Sequence, residues 1–380
     1  MSSSAHTIIG VLKESVGENR VSLTPEAIAS LLKLNYQVLV EKEAGAKAFY
    51  ADADYEKSGA KIVSRDEVFQ KSQLLSTIHP LNIEETSKLK EGQILIGILN
   101  PFFNKDYLTA LAKQGVTAFS LDFVPRSTRA QAVDVLSSMA TVAGYKAVIN
   151  AASLVPAFFP MFMTAAGTIR PAKILILGAG VAGLQAVATA RKLGAVVEVF
   201  DVRTAAKEEV QSLGGKFIEV EGAKDDKAAG GYAVAQSEDF VIKQRELIAK
   251  HAATSMVVIC TAQIFGKKAP LLLTKEAVQG MMPGSVVIDL AASTGGNCEL
   301  TKAKETLVVN QVKIVGAPTY PSEMPFHASK MLGQNYLNFL KLFVTPNSNK
   351  ENIFKLNFED DIIKSSCLTH QKQITNERLK

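Results

Sequence analysis

The stretch ILILGAGVAGLQAVATARKLGAVVEVFD, residues 174–201, decides the fold. Its apolar run at 174–177 predicts a buried strand, and glycines at 178, 180 and 183 follow before a helical pattern. A second apolar run at 195–200 ends in Asp201. A strand, a glycine-rich turn, a helix and a second strand that ends in an acid together predict a dinucleotide-binding βαβ unit.

Each glycine of this turn has a predicted task. Gly178 permits the tight turn, Gly180 lets the backbone approach a pyrophosphate, and Gly183 lets helix and strand pack closely. The helix that begins at Val181 would offer its free N–H groups and the positive end of its dipole to the phosphates. The alternative is a doubly wound domain whose glycine-rich turn binds no cofactor.

The acid at the end of the second strand predicts which dinucleotide is bound. Asp201 can accept hydrogen bonds from the adenosine ribose hydroxyls, and its charge would repel the extra phosphate of NADP. Val202 and Arg203 come next in the chain and are counted with this site. We expect the Arg203 side chain to face solvent.

Composition limits the class of protein. The chain has 380 residues, of which 47% are hydrophobic and 21% charged, and this favours a folded protein of two domains. The net charge of +5 and the lack of a dense basic run argue against nucleic acid as a partner. Three separated cysteines and five scattered histidines predict no disulfide framework and no metal site. The first residues show no secretory signal, which favours a cytoplasmic protein.

Two series of alternating strands and helices predict an α/β protein with two Rossmann-like, doubly wound parallel sheets. The first domain would comprise residues 1–135, to which the chain returns at 318–380, and the second, residues 136–317, would hold the dinucleotide. We expect strands near 7–13, 37–41, 74–78, 94–98 and 117–121, a helix near 132–151, and a helix at 327–343. Residues 285–290 predict another strand, which ends either at the cofactor cleft or in an ordinary turn.

Two further segments each allow two interpretations. Residues 147–169 contain no charged residue and are long enough to span a bilayer, but Pro156 and Pro160 favour a helix and loop buried between domains. Residues 223–236 are small and polar around a single aromatic, Tyr232. Their composition favours a surface loop over a lid that closes on a bound nucleotide.

Longer strings extend over nearly the whole chain. They are GVLKES with ENRVSLTP at 10–25, RAQAVDVLSSMATVAGYKAV at 129–148, GAGVAGLQAVATARKLGA at 178–195, DVR with LGGKF at 201–217, KKAPLLLT at 267–274 and MMPGSVVIDLA with GGN at 281–297. On these strings the chain resembles the family shared by alanine dehydrogenase and the NAD-binding component of proton-translocating transhydrogenase.

The two branches of this family differ at the groups that handle protons. Alanine dehydrogenases carry a lysine and a histidine that polarise and protonate the keto acid. Ile78 stands at the matching lysine position, and Asn100 stands where the histidine is expected. Arg20 occurs in both branches, and His79 is a possible substitute for the missing acid–base groups. The resemblance therefore favours the transhydrogenase branch and leaves an NAD-dependent alanine dehydrogenase as the alternative.

The resemblance also implies site residues. The loop that contacts the nicotinamide half of NAD(H) in transhydrogenases matches positions in this chain, where no side chain would act as acid or base; these are Arg126, Gln131, Asp134, Ser137 and Ser138. GGYA at 230–233 matches the mobile loop, so Gly231 and Tyr232 would close on the nucleotide. Gln263 is expected at the cofactor although it and Phe265 depart from the usual Leu-Ile-Pro-Gly string. Glu323 replaces a usual arginine.

The function implied by the resemblance is that of a homodimeric subunit that binds NAD(H). NADP(H) would sit on a partner β subunit, and hydride would pass from NADH to NADP⁺. A further partner, a membrane-embedded subunit, would carry the protons and hold this chain on the cytoplasmic face of the membrane. A second alternative is a non-catalytic NAD sensor, which would bind the nucleotide without turnover.

Overall fold

The computed structural model describes residues 7–220, 237–317, 319–346 and 352–379. The chain divides into two compact units. The first comprises residues 1–139 and 321–380, and the second comprises residues 140–320.

The N-terminal part of the first unit alternates strands and helices. Its strands are Thr7–Val11 (β1), Tyr36–Glu41 (β2), Lys61–Val63 (β3), Leu74–Ser76 (β4), Ile94–Gly97 (β5) and Thr117–Ser120 (β6). Its helices are Pro25–Leu32 (α1), Asp52–Lys57 (α2), Arg65–Lys71 (α3), Ile83–Ser87 (α4) and Lys105–Lys113 (α5). Three short 3-10 helices are also present, at Ala46–Ala48, Leu121–Phe123 and Thr128–Val133.

The middle of the chain begins with a long helix and continues with a second alternating series. The helices are Val135–Leu154 (α6), Val181–Lys192 (α7), Ala206–Ser212 (α8), Glu238–Ala252 (α9) and Lys275–Gln279 (α10). The strands are Phe162–Thr164 (β7), Gly167–Ile169 (β8), Lys173–Leu177 (β9), Val196–Phe200 (β10), Lys216–Ile218 (β11), Val257–Cys260 (β12), Val286–Asp289 (β13), Thr306–Val309 (β14) and Val312–Gly316 (β15).

The C-terminal part returns to the first unit after a short helix, Tyr320–Glu323 (α11). It then forms the helices Pro325–Lys341 (α12) and Asp361–Ser366 (α13) and the strands Val344–Pro346 (β16), Asn352–Phe354 (β17), Cys367–His370 (β18) and Gln373–Ile374 (β19). The helix predicted at 327–343 is therefore confirmed.

The sheet of the first unit has the order β19-β18-β6-β5-β4-β1-β2-β3. Strands β1 to β6 pair in parallel, as βαβ units require. Strand β18 joins β6 in antiparallel register, and β19 pairs with β18. The polar composition of this tail gave no sign that it would extend the sheet.

The sheet of the second unit has the order β11-β10-β9-β12-β13-β15-β14, parallel except for β14. Alternate residues of β9 point to opposite faces: Ile174 and Ile176 pack with α6 and α7 residues, whereas Leu175 and Leu177 pack with residues of α9 and α10. Since β9 lies between β10 and β12, chain order reverses beside it, and this crevice is where doubly wound sheets bind ligands. The predicted fold class is confirmed.

The apolar segment at 147–169 differs from the prediction. Helix α6 ends at Leu154, and β7 and β8 form an antiparallel hairpin. The hairpin and its approach are exposed rather than buried: Met163 is 74% exposed and Met161 is 56% exposed. The expectation of a buried loop is therefore wrong, because the prolines stop the helix and small residues at 165–167 let the chain turn back. Among the described residues, no helix has the length and apolarity that crossing a membrane requires.

Candidate dinucleotide site

The three glycines of the turn after β9 differ in what surrounds them. Gly178 has a φ of +106°, which side chains rarely adopt, so the turn requires glycine there. A methyl group on Gly183 would lie 1.9 Å from the carbonyl oxygen of Gly178, so this glycine keeps helix and turn in contact. A methyl group on Gly180 would meet no atom within 4 Å. The space beside Gly180 therefore has the form of a cradle for a ligand.

Helix α7 begins directly after this open position. Gly180 is its N-cap, and the Gly180 carbonyl accepts the N–H of Leu184 at 2.8 Å. The N–H groups of the first helical turn have no partner within a helix, and together with the helix dipole they attract anions. Val181, the first residue of α7, is 42% exposed, so this end of the helix is open to solvent.

The acid predicted to contact the ribose is heavily engaged. Oδ2 of Asp201 accepts the N–H of Ala179 at 2.7 Å, which ties the end of β10 to the glycine-rich turn. Arg203 donates its backbone N–H and Nε to Oδ1 at 2.8 and 2.9 Å, and Nη2 to Oδ2 at 2.8 Å. The expectation that Arg203 faces solvent is therefore wrong: its side chain is 25% exposed and ion-paired. Val202 is half-buried against the core.

Loops after β12 and β13 complete the carboxyl edge of this sheet. The Thr261 hydroxyl lies 2.9 Å from the carbonyl oxygen of Gly178 and supports the turn from below. Gln263 is exposed, and its Nε2 donates to the carbonyl of Leu290 at 3.1 Å. The strand predicted at 285–290 is confirmed, and its end lies at this edge.

A buried acid that the sequence patterns did not reveal shapes these loops. Asp289 is fully buried and accepts the N–H groups of Ala291, Asn297 and Cys298 and the hydroxyl of Thr301. Burial raises the pKa of Asp289, and these hydrogen bonds offset part of that increase. Because the carboxylate is saturated and inaccessible, it organises the loop instead of meeting a ligand. Only the strand end in SVVIDL hinted at this role.

The predicted nicotinamide residues all belong to the first unit. Arg126 and Gln131 are exposed, the latter on the 3-10 helix Thr128–Val133. Asp134 caps α6: it accepts the N–H of Ser137 at 2.9 Å and the Ser137 hydroxyl at 2.6 Å, and its carbonyl accepts the N–H of Ser138. The helix therefore begins at Val135, three residues after the predicted start. The lid residues Gly231 and Tyr232 lie outside the described residues.

Comparison with known proteins assigns both halves of the chain. Residues 10–143 match the family "Alanine dehydrogenase/PNT, N-terminal domain", and residues 147–377 match "Alanine dehydrogenase/PNT, C-terminal domain". The chain is 42% identical over 372 residues to an NAD(P) transhydrogenase subunit alpha polypeptide from Rhodospirillum rubrum, and the match covers 96% of each protein.

The chain belongs to the alanine dehydrogenase/transhydrogenase family. A solved structure of transhydrogenase from Sinorhizobium meliloti superposes with a TM-score of 0.87 at 40% identity, covering 97% of this chain and 99% of that one. A solved L-alanine dehydrogenase shares the fold, with a TM-score of 0.81 at 23% identity and 98% coverage of each chain. The predicted resemblance is confirmed, and the family's domains imply that a nicotinamide dinucleotide is bound.

The groups that would separate the two branches of the alanine dehydrogenase/transhydrogenase family lie in the first unit. Arg20 is buried and donates Nε and Nη2 to the two oxygens of Glu18 at 2.8 and 2.6 Å. Nε2 of His79 lies 2.7 Å from the same carboxylate. Burial raises the pKa of Glu18, but hydrogen bonds from Arg20 and His79 outweigh burial and hold it well below its usual range. Arg20 and His79 are thus both engaged with an internal carboxylate.

Proposed function

We propose that this chain is the NAD(H)-binding subunit of a proton-translocating transhydrogenase. The observation that carries the proposal is the glycine-rich turn at the switch point of the second sheet, with open space at Gly180 and Asp201 tied to the turn. The similarity to a named transhydrogenase alpha subunit over 96% of both chains supports it. Hydride would pass from NADH on this chain to NADP⁺ on a partner β subunit.

The residues of the chain fit a dinucleotide at this turn. The space beside Gly180 would take the pyrophosphate, next to the N–H groups of the first turn of α7. Asp201 would accept the ribose hydroxyls, while Val202 and Arg203 border the adenosine. An ionised carboxylate has about four acceptor positions, and all four are used here, so Arg203 must release at least one of them.

The catalytic work proposed for the chain is positioning. When bound, NADH supplies the hydride. Arg126, Gln131 and Asp134 would orient the nicotinamide, with Ser137 and Ser138 beside Asp134, and none of them has to move a proton. Holding two reacting groups in contact and excluding water accounts for large rate factors without acid–base chemistry. Gly231 and Tyr232 would close over the nucleotide, and Gln263 would border it.

The amino-acid dehydrogenase alternative lacks its chemical groups. Ile78 is fully buried and apolar, and the Asn100 N–H donates to Asp122, so neither position supplies a proton donor of the required type. His79 could replace them only by leaving Glu18. These contacts favour the transhydrogenase function over amino-acid oxidation.

The test is hydride transfer from NADH to an NADP⁺ analogue whose reduced form absorbs at a shifted wavelength. We expect transfer when the purified chain is added to membranes that contain the partner subunits, and none with the chain alone. Membranes that work with a known subunit but not with this chain would contradict the proposal. NADH binding without turnover under either condition would support the sensor alternative, and oxidation of L-alanine with NAD⁺ would support the dehydrogenase.

We further propose that the subunit is a homodimer formed through the β7–β8 hairpin. Phe158, Met161 and Met163 are more than half exposed. An open groove of about 510 Å³ lies at the base of the hairpin, with Phe158, Phe159 and Leu193 among its lining residues. Exposed apolar patches mark protein contacts, and an apolar projection beside an apolar groove suits a two-fold contact between identical chains.

Polar substitutions in the hairpin should therefore produce monomers. We expect F162S/M163S to elute with the mass of one chain in size-exclusion chromatography with light scattering, and the unchanged protein with the mass of two. V308S is the matched control, because Val308 is an exposed apolar residue (65%) on another strand of the same unit. Dimers that persist in F162S/M163S, or that dissociate in V308S as well, would refute the hairpin contact.

A further inference from the structure

The 3-10 helix Thr128–Val133, which carries Gln131 and leads into Asp134, is held at one carbonyl group by two side chains. Asn335 and Asn338 of α12 both donate Nδ2 to the carbonyl oxygen of Ala132, at 3.0 and 3.1 Å. Residues three apart lie on the same face of a helix, so both amides reach one acceptor. Ala132 follows Gln131 directly, and fixing its peptide group restricts where the Gln131 side chain can lie.

The orientation of the Asn338 amide is determined by its other neighbours. Its Oδ1 accepts Nε2 of Gln334 at 3.0 Å and Nζ of Lys341 at 3.1 Å. A lysine ammonium can only donate, so the oxygen of Asn338 has to face Lys341 and its NH₂ group has to face Ala132. Two residues of α12 thus hold Asn338 in the orientation that binds the 3-10 helix.

The Asn335 amide is retained in spite of an energetic cost. The residue is 6% exposed, and its Oδ1 is buried without a hydrogen-bond partner among the described residues. A buried acceptor left unpaired costs about 1–3 kcal/mol, and an apolar side chain of similar size would avoid that cost. The contribution that the position makes is the hydrogen bond to Ala132.

A second anchor holds the same 3-10 helix from the C-terminal tail. Arg129 forms ion pairs with Asp360 and Asp361 at the start of α13. Asp360 is itself fixed, since it caps α13 by accepting the N–H groups of Ile362 and Ile363 at 2.9 and 3.1 Å. Burial raises the pKa of Asp360, but the hydrogen bond from Arg129 and the capping bonds outweigh burial and lower it. The 3-10 helix is therefore held at Arg129 and at Ala132.

We propose that Asn335 and Asn338 are positioning residues for hydride transfer, which act by fixing the segment that carries Gln131 and Asp134. The proposal rests on the function proposed above, in which these two side chains orient the nicotinamide. A displacement of about 1 Å in a group that positions a reactant can lower a rate by roughly 100-fold. Adenosine and pyrophosphate binding involve other residues and would be largely preserved.

The test compares N335L/N338A with the unchanged chain. We expect the rate of hydride transfer at saturating NADH, measured with partner membranes, to fall by about tenfold or more. The NADH dissociation constant should change by less than about threefold, because the phosphate and adenosine contacts are untouched. Q114A is the matched control: Gln114 donates Nε2 to the carbonyls of Ser87 and Leu89 at 3.0 and 2.7 Å in the same unit.

Two outcomes would overturn the proposal: an unchanged rate in N335L/N338A, or an equal loss in Q114A. The emission spectrum of NADH bound to the chain alone supplies a readout that needs no partner. We expect it to shift in N335L/N338A and not in Q114A. If the unchanged chain binds NADH but transfers no hydride, the proposed function fails, and the emission shift still decides whether the two asparagines position the nicotinamide.

Discussion

Replacing Gly180 by alanine is expected to weaken NADH binding at least about tenfold, or about 1.4 kcal/mol, while the free energy of unfolding changes little. In the structure nothing lies within 4 Å of the added methyl group, and φ is −77°, which alanine adopts freely. Alanine is a poorer N-cap than glycine, but it also lowers the entropy of the unfolded chain, and these opposing effects are each below about 1 kcal/mol. The methyl group would occupy the space proposed for the pyrophosphate.

Gly183 provides the matched comparison, with the opposite expected pattern. A methyl group there would meet the Gly178 carbonyl oxygen at 1.9 Å, so the turn has to move even without a ligand. We expect G183A to lower the free energy of unfolding by about 1–3 kcal/mol, as other overpacked sites do. Thermal or denaturant unfolding and NADH titration by fluorescence measure both quantities. Unaltered NADH affinity in a stable G180A protein would exclude this turn as the pyrophosphate site.

Exchanging Asp201 for serine is expected to change nucleotide preference. Loss of a charged hydrogen-bond acceptor for the ribose should weaken NADH binding by about 1.5–3 kcal/mol, or roughly 10- to 100-fold. The serine side chain carries no charge to repel a 2′-phosphate, and the Arg203 guanidinium would be released from its ion pair to meet one. We expect D201S to bind NADPH more tightly than the unchanged chain does, in parallel fluorescence titrations with both nucleotides.

Arg203 makes this prediction specific. In D201S/R203A the improved binding of NADPH should disappear, while NADH binding stays as weak as in D201S. R203A alone keeps the carboxylate and should still prefer NADH. Improved NADPH binding that survives in the double variant would mean that another cation receives the phosphate, and unchanged NADH binding in D201S would remove Asp201 from the site.

The sequence predicts the second sheet well because its signals are local. A glycine at Gly178 is required by a positive φ, and one at Gly183 by contact with a residue five positions earlier, so spacing alone identifies both. The strands that flank them are apolar runs buried on both faces, and they lie within one residue of their predicted ends.

The errors concern contacts that local patterns do not specify. The Arg203 guanidinium folds back on Asp201, a choice made by the geometry of one turn. The apolar run at 161–169 is the same in a buried loop and in an exposed hairpin, so composition cannot separate them. The clamp on Ala132 joins residues about 200 positions apart, at 203 and 206 residues of separation, and leaves no local signal.

The pairing of β18 with β6 has a consequence for how the chain is made. Residues 367–370 leave the ribosome long after residues 117–120, with the whole of the second unit in between. At ordinary rates of synthesis this interval lasts roughly 10–50 s, and through it the backbone of β6 has an unpaired edge. The second unit can complete its sheet first, so the nascent chain requires protection of the β6 edge until its last thirty or so residues emerge.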